Sequence, residues 1–488
     1  MEKSLPNEFQ LVVGLEVHIQ LSTVSKLFAA DSAAYGSPPN TNVSVITLAH
    51  PGVLPKLNKQ AVEYAIRMGL ACNSAISRYC IFDRKNYFYP DLPKGFQTTQ
   101  DRTPICIGGE IRIKTKSGGE RVVELNRIHL EEDAGKSIHD LDANDSFIDL
   151  NRAGVPLIEL VTEPCIYSAD EAMAFLTEIR HTVKFLDICD GNMEQGSLRC
   201  DANISVNRRG DKELGQKVEV KNMNSIRNVG RAINHEFKRQ VDLLQRDEQI
   251  ISETRLFDAN KGTTSGMRMK EELNDYRYFP EPDLSPFTVS DEWLEEIRSK
   301  MPLTPKELRD RFRKVYKLSD YDIGVLTSDK SMAIYFEEVC KRTIYYKQAA
   351  NWICGAIKSI INNETDGEMP VSATQLADLI NAIESGKINH SAASKHVLPF
   401  LVKNHTHSVS EAIEKLNLNQ SGEEDISNVI LEVLNAFPDK VKAYQNGKKN
   451  LIGLFMGEVM KRTKGSTDPK KMNDLLRDAL EKRELKNR

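Results

Sequence analysis

The chain holds no apolar run approaching the ~18 residues that a membrane-spanning helix needs, so no membrane partner is expected. Its opening residues carry neither an apolar signal core nor the Arg-rich texture of a transit peptide, which makes a cytoplasmic location the expectation. Eight cysteines, at 72, 80, 106, 165, 189, 200, 340 and 354, include no C-x2-C or C-x4-C pair. That spacing argues against a cysteine zinc site and for reduced, mostly buried thiols. A G-x-S-x-G elbow and a Gly-rich Ser-Ser segment are both missing, so acyl hydrolysis by this chain alone has little support. Ala134-Gly135-Lys136-Ser137 ends like a phosphate loop, but the motif needs Gly at 130, where Leu stands. Three acids at 131–133 would also repel phosphate there.

What remains is a 488-residue chain, 40% apolar and 28% charged, long enough for more than one core. At ~100–200 residues per domain, that length predicts about three. The net charge of −4 is unevenly spread. Residues 440–488 carry 14 basic and 6 acidic side chains, a net of +8 that leaves −12 on the rest. A basic tail on an acidic body suits an anionic partner such as nucleic acid, although a solvated helical surface explains it about as well.

Two textures divide the chain. From Phe9 to about 290, short alternating runs such as Phe9–Leu21 and Gly109–Thr115 read as strands. Helices are expected at Lys59–Leu70, Ser168–Leu186 and Ile226–Arg246, the second with Ser168 as N-cap. Beyond 292 the pattern turns helical, at 293–301, 305–315, 330–341, 345–361, 373–384 and 390–401. A polar stretch near 404–419 marks a further boundary. The fold class expected is α+β: a large strand-rich domain over 1–292, a helical domain over 293–408 and a small all-α tail over 409–488.

The placement of polar residues on the strands is informative. From Ser197 to Val206 the odd positions are polar, so Ser197, Arg199, Asp201, Asn203 and Ser205 share one face. Glu219 and Lys221 share a face of the next strand, Glu16 and His18 a face of the first, and Glu131, Glu132 and Asp133 stand in a row. A solvated face is the commoner explanation for any one of these. Together, carboxylates crowded with an imidazole repel unless protonated or metal-bound, and hard oxygen ligands suit Mg²⁺ beside nucleotide phosphates. Two aromatic-basic clusters, Asp83–Asp91 and Asp275–Asp283, could stack bases, with Arg84, Lys85, Tyr87 and Tyr89 as candidates, or form packed turns beside proline.

Seven motifs complete the picture: Gly14-Leu15-Glu16-Val17-His18, Phe82 to Asp91, His129-Leu130-Glu131-Glu132-Asp133-Ala134-Gly135-Lys136, Asp149-Leu150-Asn151-Arg152, Gly196 to Asn203, Lys221-Asn222-Met223-Asn224-Ser225 and Asp275 to Asp283. In this order they resemble the B-subunit family of the glutamyl/aspartyl-tRNA amidotransferases, from near residue 10 to the tail. The resemblance implies a cradle-like catalytic domain, a helical domain and a YqeY-like tail that binds tRNA, here through Lys448, Lys449, Lys461, Arg462 and Lys464. It implies ATP-dependent activation of the side-chain carboxylate of Glu-tRNA(Gln) and/or Asp-tRNA(Asn), then amidation with ammonia. The ammonia would come from the glutaminase (A) member of a heterotrimer, whose small third (C) member clasps the other two.

The cofactors so implied are ATP and Mg²⁺, the metal ligands being Glu16, His18, Glu132, Glu159 and Glu219, with Glu131 nearby and Lys221 also catalytic. Nucleotide contacts would fall on Arg152, Ser197, Arg199, Asp201, Asn203 and Asn222. Strand alternation sets Glu132 with Leu130, opposite His129 and Glu131, so a ligand role for Glu132 needs a bulge or turn at 133–135. Some relatives hold structural zinc with paired cysteines before the Pro-Gly turn. Here that stretch reads Ile46-Thr47-Leu48-Ala49-His50-Pro51-Gly52, and no zinc is expected. A tRNA-binding scaffold with a purely structural ion, or a free-standing phosphotransferase, are the competing classes.

Overall fold

A computed structural model describes residues 8–116, 118–139, 141–142, 144–211, 213–269, 276–364, 368–418, 423–463 and 469–486. Lys464 and Asp275, both singled out in the sequence, lie outside these residues. The chain forms two compact units, Met1–Pro305 and Lys306–Arg488.

The first unit is built on a ten-stranded sheet. Its main strands are β1 (Phe9–Gln20), β2 (Glu120–Glu132), β3 (Pro156–Thr162), β4 (Leu198–Arg208), β5 (Val218–Lys221), β6 (Glu253–Asp258) and β7 (Thr263–Met269). They lie side by side in the order β7-β6-β5-β4-β1-β3-β2. All neighbours are antiparallel except β5 and β6. The period-two pattern does what pleating dictates. Leu11, Val13, Leu15, Val17 and Ile19 of β1 are buried, as are Leu198, Cys200, Ala202 and Ile204 of β4. Helices α1 (Lys59–Ala71), α2 (Ala169–Phe185) and α3 (Ile226–Leu244) contribute Ile66, Phe175, Ile179 and Ile233 to the same core. Each such side chain contributes ~1.5–3 kcal/mol through burial. Ser168 caps α2 by accepting from the Glu171 amide, with Asp170 and Glu171 in the first turn where the helix dipole favours acids.

A small three-stranded sheet joins the two aromatic-basic clusters: Asp83–Asn86 pairs with Phe279–Pro280 on one side and with Phe96–Thr99 on the other. Helix α4 (Asp291–Lys300) buries Leu294 and Ile297 in the core of this unit. Trp293 Nε1 donates to Glu63 Oε1 of α1 at 3.2 Å. The helical texture thus begins near 292, while the division between units falls at 305, because α4's apolar stripe is used on α1.

The second unit is helical throughout its described residues. Phe312, Tyr316, Phe336 and Tyr346 cluster at 4.9–5.6 Å between ring centres, edge-on except for the tilted Phe312–Phe336 pair. The expected helices at 345–361 and 390–401 form, each with a π-helical turn, Ile353–Ile357 and Ala393–Val397. The polar stretch near 404–419, expected as a boundary, contains helix Val409–Lys415, started by a Ser408–Glu411 capping box. Gln375 Nε2 donates to the His407 and His405 carbonyls just before it, both at 2.9 Å, tying it to the helices of 373–403. The tail's own core starts later and joins Ile426, Ile430, Val433, Phe455, Val459, Met472, Leu476 and Leu480. Among the described residues, no helix is long and apolar enough to cross a membrane.

Candidate active site

The face of the sheet opposite the helices is polar because its strands place charged residues on alternate positions that come into register. Across β4, β1, β3 and β2 one row reads Arg199, His18, Glu159, His129. Beside it Asp201 stands opposite Glu16, and Asn203 lies between Gly14 and Glu219. Residues from five strands, far apart in sequence, therefore form one continuous surface.

Two clusters stand out on it. In the first, oxygens of Glu16, Asp201 and Glu219 lie within 4.8 Å of one another. Asn203 Nδ2 donates to Glu16 Oε1 at 2.8 Å, and Thr254 Oγ1 to Glu219 Oε2 at 2.7 Å. The Lys221 ammonium bridges Asp201 at 2.5 Å and Glu219 at 3.0 Å. Burial alone would lower the Lys221 pKa, but these two carboxylates hold it well above the usual lysine value. In the second cluster, His18 Nε2 lies 3.4 Å from Glu159 and 3.7 Å from Glu131. His129 Nε2 lies 3.5 Å from the same Glu159 oxygen and 3.7 Å from Glu131. Burial opposes charge on His18, yet Glu159 and Glu131 raise its pKa to about 9. The carboxyl of Glu159 is held well below its usual range: its burial would raise it, and His129 and His18 outweigh that.

Asp133 connects the acids to the arginines. It accepts from Gln20 Nε2 at 2.7 Å and Arg199 Nη2 at 2.8 Å, and lies 3.6 Å from Arg152 Nε. Burial would raise its pKa, but Arg199 and Arg152 hold it below the ordinary carboxylate range. Arg152 is otherwise engaged with the turn, donating to the Ala134 and Gly135 carbonyls at 2.9 and 2.6 Å. It therefore supports Arg199 more directly than it offers itself to a ligand.

The structure brings together Glu16, His18, Glu131, Glu159, Arg199, Asp201, Asn203, Glu219 and Lys221 of the expected site residues. Glu132 is not among them. No bulge intervenes at its pairing with Pro156, so it faces the side of Leu130, where it meets Lys94 Nζ and accepts from the Thr98 amide at 2.8 Å. There it lines a cavity of about 220 Å³ with Lys26, Phe28, Lys94 and Thr98. Ser197 precedes β4, its carbonyl accepting from Gln20 N at 2.9 Å, and Asn222, in a left-handed conformation with φ of 69°, ties its side chain to the Phe257 carbonyl.

Of the expected tRNA contacts, Arg84 is committed to Glu281 at 2.7 Å and Asp283 at 3.1 Å and stacks on Phe96 at 4.1 Å. Lys85 sits 4.9 Å over the Tyr276 ring and 6.0 Å over Tyr87. Tyr89, Tyr87, Tyr276 and Tyr278 form a chain of edge-on rings, with Tyr89 largely exposed. In the tail, Lys448, Lys449 and Lys461 are exposed, Lys449 lying 4.4 Å over Tyr444, and Arg462 pairs with Glu432 at 3.5 Å.

Sequence reasoning passed over His129, Asp133, Thr254 and Lys94 as site residues. For His129 the signal was present: alternation puts it on the face of Glu131. The others depend on pairing between strands and loops that no local pattern reveals.

As a metal site, the Glu16–Asp201–Glu219 set offers only hard carboxylate oxygens, which fits Mg²⁺ shared with phosphate oxygens.

A model of the GatB/GatE catalytic domain matches residues 11–295, and one described as a GatB domain matches residues 334–480. The latter takes in part of the helical middle as well as the tail. Among curated proteins, the aspartyl/glutamyl-tRNA(Asn/Gln) amidotransferase B subunit of Thermodesulfovibrio yellowstonii is 47% identical over 96% of this chain and 98% of its own. Those of Thioalkalivibrio sulfidiphilus and Rickettsia rickettsii (strain Sheila Smith) are 45% and 43% identical, each over 97% of this chain and 100% and 98% of their own.

Proposed function

The chain belongs to the GatB/GatE family of tRNA-dependent amidotransferase subunits, and from that premise we propose that its polar sheet face is where the carboxylate of a mischarged aminoacyl-tRNA is phosphorylated and amidated. The observation that carries this reading is the row of carboxylates from β1, β3, β4 and β5 flanked by Arg199 and Lys221 on one surface. In the proposed reaction, an oxygen of the aminoacyl side-chain carboxylate attacks the γ-phosphorus of ATP and ADP departs. Ammonia then attacks the acyl carbon, inorganic phosphate leaves and a proton is lost, giving the amide.

Mg²⁺ held by Glu16, Asp201 and Glu219 would neutralise phosphate charge and hold the phosphates in line. The remaining tasks fall to side chains. Lys221, once turned from Asp201, is a point charge for a phosphate oxygen. Arg199, anchored by Asp133, offers a planar fork that matches two. The nucleophile is already ionised, so orientation contributes more than proton removal. The partners are the glutaminase (A) and small (C) members of the heterotrimer, with Glu-tRNA(Gln) or Asp-tRNA(Asn) as substrate. The basic tail at 440–488 supplies phosphate contacts.

The test reconstitutes the chain with these two partner proteins, glutamyl-tRNA, ATP and glutamine. The wild type should release phosphate and form glutaminyl-tRNA, and Glu219→Gln should abolish both. Normal amidation by Glu219→Gln would reduce the chain to a tRNA-binding scaffold. ATP turnover on free glutamate without tRNA would make it a phosphotransferase instead.

A further inference from the structure

Two cations of the polar sheet face are already held, Arg199 by Asp133 and Lys221 by Asp201 and Glu219. A third, Arg127, is not. We propose that its guanidinium grips a phosphodiester at the single-stranded acceptor end of the aminoacyl-tRNA, and so sets how far the reacting carboxylate reaches across the face.

Register puts Arg127 on this face. Between Arg127 and Glu131 the pairing of β2 with β3 is regular, so Arg127, His129 and Glu131 project to one side. One row of the sheet reads Asp201, Glu16, Val161, Arg127. Just before Arg127 the ladder slips by one residue: Val161 pairs with Arg127, but Thr162 pairs with Leu125. The extra residue is Asn126, whose side-chain amide donates to Glu163 Oε1 at 2.8 Å and so occupies the acid that follows Thr162. A bulge of this kind re-aims a side chain and is common beside active sites. Arg127 Nε is buried and has no hydrogen-bond partner among the described residues, while the residue as a whole is only half-buried. A guanidinium N–H shut off from water calls for an acceptor. The cross-strand neighbours of Arg127 supply none: they are Val161 and the exposed Ile107 of the short strand Cys106–Ile107.

Position selects the ligand. In the order β5-β4-β1-β3-β2, Arg127 lies four strands from Lys221, roughly 19 Å at ~4.8 Å per strand. A triphosphate gripped at Lys221 falls short of it. Glu16 is only two strands away, roughly 10 Å. The mischarged residue must lay its carboxylate against the γ-phosphate near Glu16, and from there the chain runs back to the ribose ester and the last phosphodiester. Arg127 stands where that phosphate arrives, and its planar fork matches two phosphate oxygens. This role rests on the amidation reading of the face, but the two fail separately, because amidation by the wild type tests only the reading.

In the reconstituted heterotrimer, KM for glutamyl-tRNA and for ATP is measured at several salt concentrations. Arg127→Gln should raise KM for glutamyl-tRNA about 10-fold, as loss of a hydrogen bond to a charged group does, with the effect in KM rather than kcat. KM for ATP should not follow. The log–log salt slope for tRNA should shrink by ~0.7, the share of one phosphate on a single strand; altered packing alone would leave that slope in place. Arg127→Lys should keep the slope and recover part of the KM. On the wild type, glutamyl-tRNA carrying an uncharged methylphosphonate as its last phosphodiester should show the same rise in KM, a measurement that needs no variant to fold. An unchanged tRNA KM or salt slope in Arg127→Gln, a methylphosphonate without effect, or a rise in KM for ATP instead would overturn the assignment. Each of these results would leave amidation by the wild type standing.

Discussion

Asp133→Asn removes a charge and leaves the shape. In the wild type, that carboxylate faces Gln20, Arg199 and Arg152 and is 4% exposed, while the two arginine side chains are 35% and 34% exposed. Breaking a fully buried pair by removing one partner costs ~3–5 kcal/mol. Water reaches a third of each guanidinium and screens part of that, so the expected loss is ~2–3 kcal/mol. Arg199 Nε already lacks a hydrogen-bond partner among the described residues, which makes recovery by local rearrangement harder. The folded pKa of Asp133 is depressed, so its stabilisation is full above the unfolded value of ~3.9 and fades as pH falls through the lower folded value. Urea unfolding of metal-free protein should therefore show a gap between wild type and Asp133→Asn near neutral pH that closes below pH ~4. In the reconstituted enzyme, loss of Arg199's anchor should lower phosphate release by ~10²-fold, the scale of a 1 Å misplacement. An unchanged urea midpoint, or a gap that persists in acid, would refute the idea that Asp133 anchors the arginines through its charge.

The remaining predictions concern neighbouring groups. Ligand atoms of His18, Glu131 and Glu159 lie within 4.8 Å of one another, so Glu131→Gln should weaken divalent-cation binding there, whereas Glu132→Gln on the reverse face should not, which chelator competition distinguishes. His18 is protonated up to about 9 in the metal-free chain; its protonation stabilises the fold fully below its unfolded value of ~6.5 and progressively less as pH rises through 9. Metal uptake must displace that proton, so affinity should climb with pH up to that point and calorimetry in two buffers should register proton release. A Cβ at Gly135 would lie 2.8 Å from the Asp91 carbonyl and 2.9 Å from Leu150, so Gly135→Ala should cost ~1–3 kcal/mol in urea unfolding. Deleting residues 419–488, which contain the tail's separate core, should raise KM for tRNA and leave ATP binding intact; unchanged tRNA affinity would count against the tail as a tRNA contact.

The sheet face was legible because a strand writes its two sides in alternate letters. The odd-numbered polar positions from 197 to 205 and the pair Glu16 and His18 fall where period two puts them. The motifs carried the family. What could not be read was adjacency: His18 meets Glu159, and Glu159 meets His129, only because β3 threads between β1 and β2, a pairing set by the whole topology. Glu132 shows how the two kinds of information compete. The motif resemblance made it a ligand, alternation turned it to the reverse face, and the ladder stays regular through its pairing with Pro156. A bulge would have cost ladder hydrogen bonds at the end of β2, and nothing local requires one: the Asp133 amide bonds to the Val155 carbonyl at 2.8 Å and the Gly154 amide to the Asp133 carbonyl at 2.8 Å. With the backbone so satisfied, Glu131 takes the place beside His18, and Glu132 is left to fix Lys94 in the wall of the cavity behind the sheet.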